Sequence, residues 1–185
     1  MLNEGRIIVL DGHDGCGKST LARQVARLTG GSVVKPFGDT LGDHIAWLWG
    51  NRRFAAADEL ARSSIERVLQ REPGTLVFDR HWATMFTVLP EHFWSNWGEP
   101  PRTVLCTASV ETVVRRLTER GEDPGDRDEH AHYLTQYLKV IERCPRSLVL
   151  ETDRVGLDGC VAAISGFLEE NREDLPGRDD PARTS

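Results

Sequence analysis

The chain has 185 residues, enough for one domain that buries most of its apolar surface, and its formal net charge of −6 argues against a protein that coats polymeric nucleic acid. Four cysteines, Cys16, Cys106, Cys144 and Cys160, stand far apart without a Cys-x-x-Cys pair, so neither a zinc site nor a disulfide framework is suggested and reduced thiols are expected. No apolar stretch approaches the roughly 18 residues that cross a bilayer, and a signal segment is not recognisable, so the expectation is a cytoplasmic protein without a membrane partner.

The apolar run at 7–10 predicts a buried strand, and the residues directly behind it form the most informative stretch of the chain. Gly12, His13, Asp14, Gly15, Cys16, Gly17, Lys18 and Ser19 complete a G-x-x-x-x-G-K-[ST] phosphate-binding loop, with a helix pattern over 18–28 after it. The glycines let successive backbone N–H groups turn toward one anion, and the helix start adds its positive dipole end. Lys18 can reach the β and γ phosphates of a nucleoside triphosphate, and the Ser19 hydroxyl can ligate Mg²⁺, with Thr20 the weaker metal candidate. Cys16 lies inside this loop, where oxidation could block the nucleotide. Asp11 and Asp14 flank it and are candidates to orient an acceptor or to take its proton.

Apolar runs recur at 33–34, 76–78, 104–106 and 148–150, and helix patterns at 40–49, 55–71, 109–120, 129–142 and 157–170 separate them, with a further helix expected inside 83–96. Such alternation predicts an α/β three-layer sandwich around a central five-stranded parallel sheet. Ser109 is the expected N-cap of the 109–120 helix, and Gly121 its stop. The run at 76–78 delivers Asp79 and Arg80 to the strand end where ligands bind in open parallel sheets: Asp79 to hold the metal's water shell, Arg80 to neutralise a phosphoryl group, with His81 beside them. Arg116 and Arg120 stand four apart on one helix face, and Arg127 comes after a loop containing glycine and proline, so residues 116–128 are expected to close as an arginine-rich lid. A single domain is placed at 1–170. The charged tail at 171–185 has almost no large apolar residues and is expected to be disordered.

Residues 10–20 together with Phe37-Gly38-Asp39-Thr40-Leu41-Gly42, Ala61-Arg62, Asp79-Arg80-His81 and Arg116, Arg120 and Asp126-Arg127 resemble the thymidylate kinase family of nucleoside monophosphate kinases. The resemblance spans about residues 5–170. It implies the P-loop kinase type of architecture for the 1–170 domain, ATP and Mg²⁺ as cofactors, and transfer of the γ phosphate to a nucleotide, a pyrimidine deoxynucleoside monophosphate first. It also implies an acceptor site using Phe37, Arg62, Arg80 and His81, lid roles for Arg116, Arg120 and Arg127, and a homodimer through the helices of 40–71. Asp11 stands where the family usually has Glu, and His81 where it has Tyr. The departures gather in the acceptor segment, where Val34-Lys35-Pro36-Phe37-Gly38-Asp39 replaces Arg-Glu-Pro-Gly-Gly, and Trp94 and Trp97 fill an atypical stretch. A nucleoside, small-metabolite or antibiotic acceptor therefore stands as the alternative. A regulatory protein of the P-loop GTPase kind would need a guanine-reading Asn-Lys-x-Asp, which the chain lacks.

Overall fold

A computed structural model of the chain describes residues 6–170, so the expectation for the tail lies outside the described residues. Five strands form one parallel sheet in the order β2-β3-β1-β4-β5: β1 (Ile7–Asp11), β2 (Ser32–Val34), β3 (Leu76–Asp79), β4 (Thr103–Thr107) and β5 (Ser147–Glu151). Each is a short apolar run, and the three central strands are buried on both faces, as strands with helices above and below must be.

Alternation along β1 assigns the two layers. Ile8 and Leu10 face α1 (Lys18–Thr29), α5 (Val110–Glu119) and α7 (Leu157–Glu170), packing with Leu21, Val25, Val113 and Ile164. Ile7 and Val9 face the other way, with Leu76 and Phe78, toward α3 (Phe54–Arg71). On the same side α2 (Asp39–Gly50), α4 (Trp82–Phe86) and α6 (Arg127–Ile141) pack around Trp82, Met85, Leu105 and Tyr137. The three-layer expectation holds, and the expected helices appear within two residues of their predicted ends, apart from 83–96. That segment divides into α4 and a 3₁₀ stretch, Glu91–Trp97, because Pro90 offers no N–H to continue a helix.

Two helix starts are set by side chains. The Ser109 hydroxyl accepts from Thr112 N–H at α5, as expected, and the Asp126 carboxylate accepts from Asp128 N–H at α6. Among the described residues no helix is long and apolar enough to cross a membrane. The parallel pairing of β1 with β3 puts Leu10 opposite Asp79, so the phosphate loop and the end of β3 emerge side by side at one sheet edge.

Candidate active site

The loop between β1 and α1 is shaped by its glycines and held by its carbonyls. Gly12, Gly15 and Gly17 take φ of 136°, 75° and 87°, a region closed to most side chains, and a Cβ on Gly12 would lie 2.2 Å from the Cys106 carbonyl oxygen. Three loop carbonyls meet donors: Lys18 Nζ reaches the His13 carbonyl at 2.7 Å, Arg116 Nη1 the Gly15 carbonyl at 2.9 Å, and Thr152 Oγ1 the Cys16 carbonyl at 2.9 Å. With these carbonyls engaged, the loop has N–H groups left for an anion. Lys18 is only 5% exposed, and burial lowers its pKa from the ordinary lysine value. Cys16 is fully buried and burial pushes its thiol up, which disfavours the thiolate that oxidation would need.

At the foot of the loop, Ser19 Oγ donates to Asp79 Oδ2 at 2.6 Å, and Lys35 Nζ stands 3.2 Å from the same oxygen. A hydroxyl and a carboxylate in contact are hard oxygen donors of the kind Mg²⁺ takes, so the pair fits the metal that the fold implies. Asp14, Lys18, Lys35, Phe37, Asp79 and Arg80 converge on one open cleft above them. Arg80 is ion-paired with Asp14 and adopts φ of 80°, a conformation rare for a residue with a Cβ. Burial works against charge on both groups. Even so, Arg80 and Lys18 hold the Asp14 carboxyl below the usual range, while Tyr137, Asp14 and Asp11 raise the Arg80 guanidinium.

Asp11 occupies a different position from the one its sequence place suggests. It is fully buried and its oxygens accept from Gly12 N–H, His81 N–H, Thr84 N–H and the Thr84 hydroxyl, which in turn meets Tyr137 Oη at 2.8 Å. It anchors the first turn of α4 beneath the loop and has no oxygen left for an acceptor. Burial raises its pKa despite those bonds.

The remaining sequence candidates separate. Phe37 lines the cleft, whereas Arg62 is turned to the buried Asp58 at 3.1 Å, beside Asn96 and Trp97, which also bond that carboxylate. His81 is 7% exposed, edge-on to Phe78 and Trp97, and its Nδ1 is buried without a hydrogen-bond partner. Arg116 grips the phosphate loop and Thr152, but Arg120 pairs with Glu122 and exposed Arg127 with Glu111 at the surface. Thr20 is exposed on α1. Lys35, Thr84, Tyr137 and Thr152 were not singled out from the sequence. Lys35 and Thr152 each come directly after a parallel strand, a position that marks them for a ligand-binding edge. Thr84 and Tyr137 carry no such signal.

A family model described as an AAA domain matches residues 8–135. No curated protein matches the chain. Among solved structures, YorR protein from Bacillus subtilis, in complex with phosphorylated GDP, superposes with a TM-score of 0.64 at 17% identity, over 88% of this chain and 95% of that one. Deoxyadenosine kinase from M. mycoides with bound dCTP gives 0.62 at 12% identity, over 89% and 99%. Thymidylate kinase from Candida albicans gives 0.64 at 16% identity, over 90% and 92%. The shared feature is the fold, an α/β architecture built on a five-stranded parallel sheet.

Proposed function

The chain belongs to the AAA domain family, and on that footing we propose that it is a phosphotransferase moving the γ phosphate of ATP to a nucleoside monophosphate, as thymidylate kinase-like enzymes do, with a pyrimidine deoxynucleotide as the first acceptor to test. The observation that carries this reading is the cleft in which Lys18, Ser19, Asp79 and Arg80 converge beside Lys35 and Phe37.

The loop amides and Lys18 hold the triphosphate tail, and Lys18 exchanges its contact with the His13 carbonyl for phosphate oxygens. Ser19 and Asp79 would hold Mg²⁺, directly or through its water shell, and the ion would supply charge neutralisation to the phosphates. Arg80 lies across the cleft, where its planar guanidinium answers the charge spreading over the transferred group. Catalysis in such a site is positioning and electrostatics.

Basicity separates the acceptors. A nucleoside hydroxyl must lose a proton, yet Asp11 is buried with its oxygens engaged and Asp14 is held below the ordinary carboxylate range by Arg80. A monophosphate oxygen is already anionic and needs no base, and Lys35 and Arg80 on the cleft wall favour an anion. ADP release should therefore be measured with matched nucleosides and nucleoside monophosphates. A monophosphate preferred by about 100-fold or more in kcat/KM supports the reading, and the opposite preference assigns a nucleoside kinase. Lys18→Ala and Arg80→Ala should each lower turnover by about 100-fold with the fold retained, and near-normal turnover in both would reject phosphoryl transfer at this site.

A further inference from the structure

His13 occupies a loop position that the phosphate-binding pattern leaves open, yet its ring is not free. His13 Nε2 lies 2.7 Å from His130 Nδ1, and the ring stacks on Tyr133 at a centroid distance of 5.4 Å and an interplanar angle of 12°. His130 is only 7% exposed, and its other nitrogen, Nε2, bonds the Pro124 carbonyl. The chemistry of the three groups sets the direction of both bonds. A carbonyl can only accept, so a neutral His130 carries its proton on Nε2 and leaves Nδ1 bare; Nδ1 must then accept from His13 Nε2–H.

The backbone of the same residue closes the connection. The His13 carbonyl accepts from Lys18 Nζ at 2.7 Å. One loop residue thus touches the phosphate-binding ammonium through its main chain and, through its ring, the His130 that holds the 121–126 segment at Pro124. That segment leads into Arg127 and carries Gly125 at φ of 67°, where a Cβ would sit 3.5 Å from His130 Nε2. His130 and Tyr133 project from one face of α6, three residues apart, so the helix behind the lid holds the ring of His13 from two directions.

We infer that His130 is a positioning residue: through His13 it ties the lid segment at Pro124 to the phosphate loop, so that filling the loop and bringing the lid over the nucleotide become one event. Neither ring touches a reacting atom. The kinetic part rests on the phosphotransferase reading; the relay itself does not.

The relay is tested first in the ligand-free protein. ¹⁵N NMR should find both His13 and His130 protonated on Nε2 and bare on Nδ1. Amide exchange at 122–126 should quicken by about tenfold in His130→Ala and return to within about threefold of the parent in His130→Gln, whose carboxamide can donate and accept at once. His13→Ala should match His130→Ala, and the double variant should be no worse than either. With ATP and an accepted monophosphate, His130→Ala should lower kcat about tenfold while the ATP KM stays within about threefold, and His130→Gln should recover most of the loss. A proton on His130 Nδ1, unchanged lid exchange in His130→Ala, additive losses in the double variant, or slower turnover that Gln does not recover would each overturn the inference. Should His130→Ala fail to fold, the tautomers of the parent and the exchange of His130→Gln still decide it. Should no acceptor be turned over, the phosphotransferase reading fails by itself, and the NMR and exchange results judge the relay without it.

Discussion

The Ser19 hydroxyl donates to the Asp79 carboxylate at 2.6 Å, joining the first turn of α1 to the end of β3 where the two meet beneath the phosphate loop. Neither group has a packing reason to be there. Asp79 is 5% exposed, and a carboxylate so placed is stabilised by the hydroxyl, by Lys35, by the nearby charge of Lys18, and by a cation when one is bound. Asp79→Asn keeps the shape and removes the charge. It should raise the magnesium concentration for half-maximal turnover by about tenfold or more at saturating ATP, while Ser19→Ala shifts it in the same direction. A magnesium titration of ADP release measures both, and unchanged midpoints would remove the pair from the metal site.

Arg80 joins strained backbone to a working side chain. Its φ of 80° is stabilised from both sides, by its N–H donating to the Leu10 carbonyl at 3.0 Å and by the guanidinium pairing with Asp14. In helices and strands Gly is ordinarily less stable than Ala by roughly 0.5–1 kcal/mol. Here the left-handed conformation costs a Cβ-bearing residue about 1–2 kcal/mol, so Arg80→Gly should be at least as stable as Arg80→Ala. Both should lose turnover alike. Denaturant midpoints of the two variants give the order, and a clear advantage for Ala would mean the backbone relaxes once the side chain is gone.

The parts of the molecule that could be read in advance are those governed by local rules. Strands were visible because each is a short apolar run, and the phosphate loop because its glycines and Lys18-Ser19 obey one spacing. The Asp79-Arg80 pair was visible because it ends an apolar run. What escaped depends on contacts between distant segments. Nothing near Asp11 announces that Thr84, 73 residues on, fills its oxygens, and nothing near His13 points to His130, 117 residues away. Lid roles for Arg120 and Arg127 were read from their spacing about a loop containing glycine and proline, a local pattern that does not say which acids stand nearby, and both side chains here pair with neighbouring acids, Glu122 and Glu111. Arg62 was expected at the acceptor, but the buried Asp58 is a stronger local demand on its charge.

Gly12 tests the loop geometry without touching a charge. A Cβ there would meet the Cys106 carbonyl oxygen at 2.2 Å, and that atom belongs to the backbone of a central strand that cannot move aside without breaking the sheet. Its φ of 136° adds a second penalty. Gly12→Ala should therefore destabilise by about 3 kcal/mol or more, or prevent folding. Gly30→Ala makes the control, because no atom stands within 4 Å of the added carbon and only φ of 65° opposes it, so its loss should stay near about 1 kcal/mol. Equal losses in the two variants, measured by urea unfolding, would show that the Cys106 contact is not what makes residue 12 a glycine.

His81 links stability to pH in a direction its surroundings determine. The ring is 7% exposed between Phe78 and Trp97, Nδ1 has no partner, and burial lowers its pKa from 6.5 to about 3. In the unfolded chain the same imidazole takes up its proton near pH 6.5. Between those limits the unfolded state binds one proton more than the native state. The full contribution of the neutral ring is therefore present above about pH 6.5 and is lost as pH falls, by on the order of 1 kcal/mol per pH unit, until the folded ring itself titrates. His13, lowered to about 4 chiefly by burial, pulls in the same direction over a narrower range. His81→Phe keeps an aromatic ring against Phe78 and Trp97 and removes the titration. Denaturant unfolding at intervals from about pH 7 to pH 4 should then show a shallower fall in stability than the parent, with the slope that remains belonging to His13 and to the carboxylates. Parallel curves would mean that the His81 ring gains its proton in the native state as easily as in the unfolded one, which a buried imidazole with an unpartnered nitrogen could do only by leaving its place beside Trp97.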